Sequence, residues 1–362
     1  MIKSVHIENF KCFKEFDIEL GKFNVLIGTN GSGKTSFLQA IGLASLALEV
    51  KKQRFLPLGA FLEPFGVSSG QHLVREGGSG MRVVVTVAGK HGTPPSTMSV
   101  WSKDGEDFSS EDKARLTPKG RVLLTESPLA EDERRYLHEE VGNVGYYNLD
   151  PRVLKQPTKL SAEWATLKPN GEGLANLLNF LLGHDRTVFD RLEKAFCDRF
   201  PEYVGLVVGP HKLRESMEVG LALWFRTRTG QTLPAEAVSD GTMLSLAFLA
   251  VTHSPNPCKT LLVEEPELGV HHASLKEIVT SLRALADREQ VQVIITTHSP
   301  YLLDCVEPED VLVFRKDNEG AARVARLSEY PDVEDLKKHF MTGEIWTGMD
   351  EDDIVTRQKV SG

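Results

Sequence analysis

Polar and hydrophobic residues alternate along several stretches of the chain, as they do in half-buried β-strands. The pattern predicts strands over residues 2–8, 16–27, 81–88, 97–101, 203–208 and 217–227. A turn rich in Gly and Pro at 92–95 lies between two of these strands and predicts that they form a hairpin. An antiparallel β-subdomain is therefore expected.

Other segments carry hydrophobic residues at helical spacing. Helices are predicted over residues 36–54, 129–142, 173–182, 188–200 and 243–251. In residues 173–182 the leucines at 174, 177, 178 and 181 fall on one helix face, which predicts a buried stripe. No internal repeat and no sustained heptad pattern is found, so a long coiled-coil arm is not expected.

Three short apolar runs lack alternation and predict strands that are buried on both faces. They cover residues 25–27, 260–263 and 291–297. Continuous apolar strands are typical of parallel sheets that helices cover on both sides. Together with the predicted helices, these runs indicate an α/β fold with a mixed, largely parallel core sheet.

The composition is that of a soluble globular protein, with 362 residues of which 41% are hydrophobic and 26% charged. No apolar run is long enough to cross a bilayer, and residues 1–5 lead directly into a strand-like pattern, so no membrane partner is expected. The four cysteines are scattered without a C-x-x-C pair, which favours a cytoplasmic location. A net charge of −9 does not favour DNA binding over the whole surface, although it leaves a local basic groove open.

Residues 28–35 fit the phosphate-loop pattern G-x-x-x-x-G-K-T, between a predicted strand and a predicted helix. Glycines let the backbone wrap around a polyphosphate, and the positive end of the helix adds to the attraction. Lys34 is expected to reach the β- and γ-phosphates of ATP and Thr35 to hold Mg²⁺, while a chance glycine-rich turn is the alternative. The predicted nucleotide-binding residues here are Asn30, Gly31, Ser32, Gly33, Lys34, Thr35 and Ser36.

A second anion site is predicted at residues 239–242, Ser-Asp-Gly-Thr, where an apolar helix begins. A hydroxyl, a glycine and a helix N-terminus together can bind an anion, and Ser239 and Gly241 are the residues expected to do so. Taken alone, the same residues also fit an ordinary helix N-cap.

Two of the buried runs end in groups suited to hydrolysis. Residues 260–263 lead into Glu264 and Glu265, a Walker B arrangement in which Glu264 would orient Mg²⁺ and Glu265 would act as general base. Residues 291–297 lead into His298, which would face the γ-phosphate or the attacking water at the carboxyl edge of the sheet. A strand ending in an acidic loop and a structural histidine are the alternatives. The predicted catalytic set consists of Lys34, Glu265 and His298.

These motifs occur in the order found in ABC-type ATPase heads: phosphate loop, S-D-G-T, Glu-Glu-Pro-Glu at 264–267 and Thr-Thr-His-Ser-Pro at 296–300. The N-terminal segment from Ile-Glu-Asn-Phe at 7–10 to the phosphate loop resembles RecF and the SMC proteins. The whole chain resembles the bacterial RecF/SMC-like AAA family ATPases, which are related to the ATPase half of OLD-family nucleases. Residues 167–171, Leu-Lys-Pro-Asn-Gly, and 343–346, Gly-Glu-Ile-Trp, fit the same group.

The resemblance implies a role for each motif. Glu264 would stand where many relatives carry Asp, and Glu265 would be the catalytic carboxylate. Residues 267–271 would form the D-loop, and His298 would be the switch histidine. Gln71 is the candidate for the Q-loop, although its surroundings match that motif poorly.

The resemblance also implies a homodimer. Ser239 and Gly241 would contact ATP held by a second subunit, so that two head-to-tail subunits close around two ATP molecules. Hydrolysis would then open the dimer. ATP and Mg²⁺ are the expected ligands.

The resemblance places the nucleotide lobe of a P-loop, ABC-type ATPase head in residues 1–55 and 235–320, with an inserted β-hairpin and helical lobe over 56–234. Residues 321–362 are expected to form a tail that packs on the head. The four acids at 350–353 in this tail are expected to be a solvated, non-catalytic end.

Two functions from different classes remain open. In the first, the ATPase drives a DNA-associated process, in phage defence or DNA repair, with a separately encoded effector such as a nuclease. In the second, it is a regulatory scaffold that clamps a protein partner without binding DNA. A membrane-transporter subunit fits less well, because its signature would read closer to L-S-G-G.

Overall fold

A computed structural model describes residues 1–49, 73–78, 80–89, 95–102, 123–124, 131–160, 167–213, 218–253, 258–289 and 291–356. The chain forms two compact units. The first unit contains residues 1–146, 258–262 and 290–362, and the second contains 147–257 and 263–289.

The first unit begins with a five-stranded sheet in the order β2-β1-β4-β5-β6. Its strands are β1 (Ile2–Phe10), β2 (Phe13–Glu19), β4 (Met81–Val87), β5 (Ser96–Ser102) and β6 (Leu123–Leu124). All neighbouring strands pair antiparallel, as predicted for the hairpin of β4 and β5. In β4 every second residue, beginning at Met81, is buried, which is why the alternation was a reliable signal.

The second sheet has six strands in the order β15-β14-β3-β13-β12-β7. They are β3 (Phe23–Ile27), β7 (Val144–Tyr147), β12 (Thr260–Glu264), β13 (Gln292–Thr296), β14 (Val311–Lys316) and β15 (Ala322–Arg326). Both β13 and β14 run parallel to β3, and β15 pairs antiparallel with β14 at the edge. Every residue of β3, β12 and β13 is buried, as expected for central strands covered on both faces.

Helix α1 (Lys34–Glu49) packs against β1, β4 and β5. Its Phe37 belongs to one hydrophobic core with residues of both sheets, including Phe16 of β2 and Phe314 of β14. The ring centroids of Phe16, Phe37 and Phe314 lie 5.6–6.0 Å apart in tilted pairs, a favourable aromatic geometry. This core fixes the start of α1 relative to β3 and β14. Helix α2 (Glu131–Val141) packs against α1.

The second unit combines helices with a small antiparallel sheet in the order β11-β10-β8, to which β9 is added beside β10. The strands are β8 (Thr158–Lys159), β9 (Tyr203–Lys212), β10 (Val219–Thr227) and β11 (Thr232–Pro234). The helices are α3 (Pro151–Leu154), α4 (Leu174–His184), α5 (Arg186–Arg199), α6 (Asp240–Thr252) and α7 (His272–Glu289). Helix α6 lies at the centre of this unit, because it is buried over ten residues and contacts α3, α4, α5 and α7.

Four short α-helices complete the part of the first unit that the structure describes. They are α8 (Pro300–Leu303), α9 (Val333–Leu336), α10 (Thr342–Gly348) and α11 (Glu351–Thr356). Helix α10 packs against α8, and α11 packs on β14 and β15 through the buried Ile354.

The described elements agree with most of the predicted ones. The helix predicted from residue 36 begins at Lys34, and the single stretch 16–27 contains two strands, β2 and β3, separated by a turn. Most of the turn predicted at 92–95 lies outside the described residues, as do residues 50–72 and 103–122. The domain boundaries given above stay a prediction.

Candidate functional site

The phosphate loop connects β3 to α1, and two of its glycines are required by close packing. Gly28 has φ 149°, and a Cβ there would lie 2.0 Å from the carbonyl oxygen of Phe314. Gly33 has φ 116°, and a Cβ there would lie 2.9 Å from Cys12 Sγ. The loop is therefore held against β14 on one side and the β1–β2 turn on the other.

Lys34 is buried at the start of α1, where its Nζ donates hydrogen bonds to the carbonyl oxygens of Gly28 at 2.7 Å and Thr29 at 3.1 Å. Ser32 Oγ is buried and has no hydrogen-bond partner among the described residues. Asn30, Gly31 and Thr35 are exposed. A buried cation, an unsatisfied hydroxyl and the N-terminus of a 16-residue helix thus meet at one solvent-facing loop, an arrangement that fits a phosphate group.

His298 leaves the sheet beside this loop. Thr296 of β13 lies opposite Leu26 of β3, and the N–H of Thr297 donates to the Leu26 carbonyl oxygen at 3.0 Å. Because β3 and β13 are parallel neighbours, His298 and Gly28 lie at the same edge of the sheet. This is the edge at which α/β proteins bind their ligands.

The two carboxylates predicted for Mg²⁺ and for water activation follow each other at the end of β12. Glu264 is buried, and its Oε2 accepts a hydrogen bond from Asn148 Nδ2 at 3.0 Å. Glu265 is half-buried and has φ 43°, a left-handed conformation that non-glycine residues rarely adopt. Such backbone strain is concentrated at functional sites.

The predicted second anion site begins α6. Ser239 is exposed, and its Oγ accepts from the N–H of Thr242 at 3.2 Å, so it is a helix N-cap as the alternative reading has it. A Cβ on Gly241 would lie 3.4 Å from the carbonyl oxygen of Gly269. The S-D-G-T turn therefore packs beside residues 267–271, the predicted D-loop, within the second unit.

The structure places the predicted residues in two groups. The phosphate loop, Ser36 and His298 belong to the first unit, and Ser239, Gly241, Glu264 and Glu265 belong to the second. The joining of both groups around one nucleotide stays a prediction, as do the individual roles. Gln71 lies outside the described residues.

The expectation that the acids at 350–353 form a solvated end is wrong for one of them. Glu351 is only 8% exposed, because α11 folds back on β14 and β15. Burial raises the pKa of its carboxyl, while Arg315, the N–H of Thr29 and Lys34 act in the opposite direction. Asp350, next to it, fits the expectation better, since its side chain is 66% exposed, although it lies 3.6 Å from Arg315.

The sequence did not reveal three residues that shape the site. Asn148, which holds Glu264, lies in the segment Tyr-Tyr-Asn-Leu-Asp-Pro at 146–151, where only a strand or turn was predicted. Cys12 and Phe314 confine the phosphate loop through contacts with its glycines. Their contacts depend on pairing between distant strands, for which the local pattern carries no signal.

Two absences concern the described residues. None of their helices is long and apolar enough to span a membrane. No group of three or more His, Cys, Asp or Glu side chains among them is arranged to hold a metal ion. A Mg²⁺ site of the predicted kind does not need such a group, because Thr35 and one carboxylate share the ion with phosphate oxygens and water.

Two protein families match parts of the chain. The family described as "AAA domain, putative AbiEii toxin, Type IV TA system" matches residues 175–304, and the family described as "AAA ATPase domain" matches residues 1–53.

Among curated proteins, the OLD nuclease of Thermus scotoductus is 23% identical over 367 residues, which covers 91% of this chain and 65% of the nuclease. The DNA replication and repair protein RecF of Shouchella clausii is 23% identical over 211 residues, or 56% of this chain and 55% of RecF. The structural maintenance of chromosomes protein 6 of Saccharomyces cerevisiae is 44% identical over 54 residues, or 14% of this chain and 5% of that protein. The chain therefore spans less than two thirds of these relatives.

Solved structures of SMC heads share the fold. An SMC head bound to the C-winged helix domain of ScpA superposes with a TM-score of 0.58 at 16% identity, covering 90% of this chain and 96% of the other. An SMC head with an extended coiled coil, bound to the C-terminal domain of ScpA derived from Pyrococcus furiosus, gives 0.56 at 14% identity, covering 93% and 98%. These similarities confirm the predicted α/β fold with a mixed, largely parallel core sheet, which is the fold of the SMC heads.

Proposed function

We propose that this chain is an ABC-type ATPase of the RecF/SMC-like group, related to the ATPase domain of OLD nucleases, and that it hydrolyses ATP with Mg²⁺ as a dimer closed by two ATP molecules. The observation that supports this best is the buried Lys34, held by the carbonyl oxygens of Gly28 and Thr29 in a loop that ends at the N-terminus of α1. A lysine fixed in this way is ready to bind phosphate oxygens without reorganising.

The residues of the chain divide the chemistry between them. Thr35 and Glu264 would hold Mg²⁺, which supplies charge neutralisation on the phosphate oxygens. Glu265 would accept a proton from the attacking water, and His298 would orient that water or the γ-phosphate. Asn148 would keep Glu264 in place through the 3.0 Å hydrogen bond.

The dimer is proposed because the S-D-G-T turn at residues 239–242 begins with an exposed residue that a second molecule can contact. Ser239 is exposed at the N-terminus of α6, where the helix dipole attracts an anion. In the arrangement of the related ATPase heads, Ser239 and Gly241 of one subunit would contact the ATP bound to Lys34 of the other. Each ATP would then hold the two subunits together until it is hydrolysed.

A mixing experiment tests this arrangement. Lys34→Ala is expected to abolish ATP binding, and Ser239→Arg to block the closed dimer, so that each variant alone hydrolyses no ATP. An equimolar mixture is expected to recover about a quarter of the wild-type rate, since about half of the dimers are mixed and each mixed dimer has one intact composite site.

The matched control mixes Lys34→Ala with the double variant Lys34→Ala/Ser239→Arg. Both proteins then lack Lys34, so no mixed dimer has an intact site. Mixed dimers that native mass spectrometry detects but that hydrolyse no ATP would contradict the composite site. ATP binding by Lys34→Ala at wild-type affinity would contradict the nucleotide site itself, with Lys14→Ala as an exposed control.

We further propose that the ATPase cycle serves a DNA-associated process in phage defence or DNA repair, with a separately encoded effector such as a nuclease. The similarity to an OLD nuclease and to RecF supports this direction. The net charge of −9 supports the other function, a scaffold that clamps a protein partner without DNA. The response of the ATP hydrolysis rate to DNA separates the two functions.

A further inference from the structure

Asp240, the acid of the S-D-G-T turn, has no part in the proposed reaction. It is the first residue of α6 and follows the exposed Ser239, so its carboxylate lies at the helix end that is proposed to attract the phosphates of ATP. The N-terminus of a helix favours a negative charge, and Asp240 already supplies one there. Unless that charge is neutralised, it repels the anion for which the turn is proposed.

A lysine from another helix of the same unit neutralises Asp240. Lys155 Nζ donates a hydrogen bond to Asp240 Oδ1 at 2.5 Å. The Lys155 side chain is 16% exposed and that of Asp240 is 52% exposed, so the cation is held against the protein while the carboxylate stays at the surface. Salt screens a partly buried pair less than a fully exposed one. Together the two side chains carry no net charge.

The packing of three segments holds Lys155 in this position. Lys155 directly follows α3, which packs on α6. A Cβ on Gly269 would lie 3.6 Å from Asp240 Cβ and 3.7 Å from Pro151 Cγ, so the turn that contains Gly269 closely approaches the starts of both helices. The position of Lys155 relative to Asp240 is therefore set by the packing of the backbone.

The other cation of α3 has a partner of its own. Arg152 is exposed and binds both carboxylate oxygens of Asp150, with Nε at 3.1 Å from Oδ1 and one terminal nitrogen at 2.9 Å from Oδ2. Arg152 would have to give up this bidentate pair to replace Lys155 beside Asp240. The charge of Asp240 is thus neutralised through Lys155.

We propose that Lys155 is a positioning residue for the composite ATP site: it neutralises Asp240, so that the S-D-G-T turn of one subunit attracts the ATP bound to the other. This inference rests on the proposed function, since it concerns the same two-subunit site. The net charge of the pair then sets how tightly the dimer closes around ATP. An ion pair with a merely structural role would act differently, because loss of either partner would weaken the dimer in the same direction.

Three variants test the sign of this effect. Lys155→Gln is expected to weaken the dimer formed with saturating Mg²⁺ and ATPγS, a slowly hydrolysed analogue, by about threefold to tenfold. Asp240→Asn is expected to strengthen it by a similar factor, and the double variant to match the wild-type protein. Sedimentation velocity measures the dimer dissociation constant, and thermal unfolding shows whether each variant stays folded.

The matched control removes another exposed ion pair of the same unit. In α5, Arg186 Nε lies 2.7 Å from Asp190 Oδ1. The double variant Arg186→Gln/Asp190→Asn should leave the dimer dissociation constant unchanged.

The outcomes separate this inference from the proposed function. A dimer of Asp240→Asn that is no tighter than the wild-type dimer, or one of Lys155→Gln that is no weaker, would overturn the neutralisation and leave the ATPase proposal standing. Wild-type protein that binds ATPγS in calorimetry but forms no dimer would overturn the proposed dimer and this inference with it. Wild-type protein that does not bind ATPγS would overturn the nucleotide site as well.

The mixing experiment shows on which ATP the charge acts, at subunit concentrations near the dimer dissociation constant. When Lys155→Gln is added to the Lys34→Ala subunit, it lies in the one composite site that remains and should lower the recovered hydrolysis rate. When it is added to the Ser239→Arg subunit, it lies in the site that is already blocked and should leave the rate unchanged. Equal rates in the two mixtures would overturn the action of Lys155 on the ATP of the other subunit.

Discussion

At the scale of single residues, Glu265 is the proposed general base, and its backbone conformation supports a functional role as much as its carboxylate does. Its φ of 43° costs about 1–3 kcal/mol for a residue with a side chain. The turn is closed by a hydrogen bond of 3.0 Å from the N–H of Leu268 to the Glu265 carbonyl oxygen. The conformation is therefore maintained by the loop and sets the direction in which the carboxylate leaves β12.

Glu265→Gln is expected to bind ATP and to accumulate as the ATP-bound dimer, because the amide has the same size but accepts no proton from water. Its hydrolysis rate should fall by about 10²–10⁴-fold, the usual contribution of a general base. Steady-state ATPase assays and light scattering after gel filtration measure the two effects. Glu236→Gln, an exposed acid of the same unit, is the control. Wild-type hydrolysis by Glu265→Gln would show that the base is another residue.

The sequence predicts those site residues that occur in a spaced motif, such as Lys34 and Glu264. It does not predict Asn148, because a single amide in a turn has no characteristic spacing. Glu351 was assigned to solvent for a related reason, since four adjacent acids look alike in sequence and only the docking of α11 buries one of them. The local sequence pattern identifies which residue types are present at a motif. Tertiary contacts decide which of several similar residues becomes buried or lies in the site.

At the scale of elements, the contact of α10 with α8 shows how closely the C-terminal helices are fitted. A Cβ at Gly343 would lie 2.1 Å from the carbonyl oxygen of Pro300, whereas one at Gly348, in the same helix, would meet nothing within 4 Å. Gly343 N also donates to Asp304 Oδ1 at 2.9 Å. The two glycines therefore form a matched pair for testing the fit.

Gly343→Ala is expected to destabilise the chain by about 1–3 kcal/mol, because the extra methyl group forces α10 away from α8. Gly348→Ala should change the free energy of unfolding by less than about 1 kcal/mol, since it has open space around it. Urea unfolding followed by circular dichroism compares the two. Equal stability of both variants would show that the helices separate without cost.

Element prediction succeeded where one pattern dominates. The alternation of β4 and the one-face leucines of α4 gave boundaries within a few residues of those observed. No strand was predicted for β14 or β15, although β14 begins with four buried apolar residues. Its parallel partner β3 lies nearly three hundred positions earlier in the chain, and no short-range signal records that pairing. Its antiparallel partner β15 follows directly, so the β14–β15 hairpin is a local element that the pattern does not identify.

At the scale of the whole molecule, the net charge of −9 opposes DNA binding by the protein surface as a whole. A DNA-dependent ATPase with this charge needs a local cationic surface, whose contacts with phosphate are weakened by salt. The hydrolysis rate is therefore expected to rise with duplex DNA at low salt and to lose that stimulation steeply as salt increases.

An ATPase titration with DNA at several salt concentrations measures this dependence. Heparin at equal charge concentration is the control for any polyanion, and Lys34→Ala controls for a contaminating ATPase. Absence of DNA binding at the lowest salt would contradict the DNA-associated role and favour the clamping of a protein partner.

The order of strands in the six-stranded sheet has a consequence for synthesis. Strand β3, which carries the phosphate loop, is flanked by β13 and β14, and both are made only after residue 290. At about 5–20 residues per second, a nascent chain spends at least about thirteen seconds on the ribosome with its phosphate loop unsupported. The phosphate loop therefore acquires both neighbouring strands, and with them the proposed capacity to bind ATP, only after residue 316 has been made.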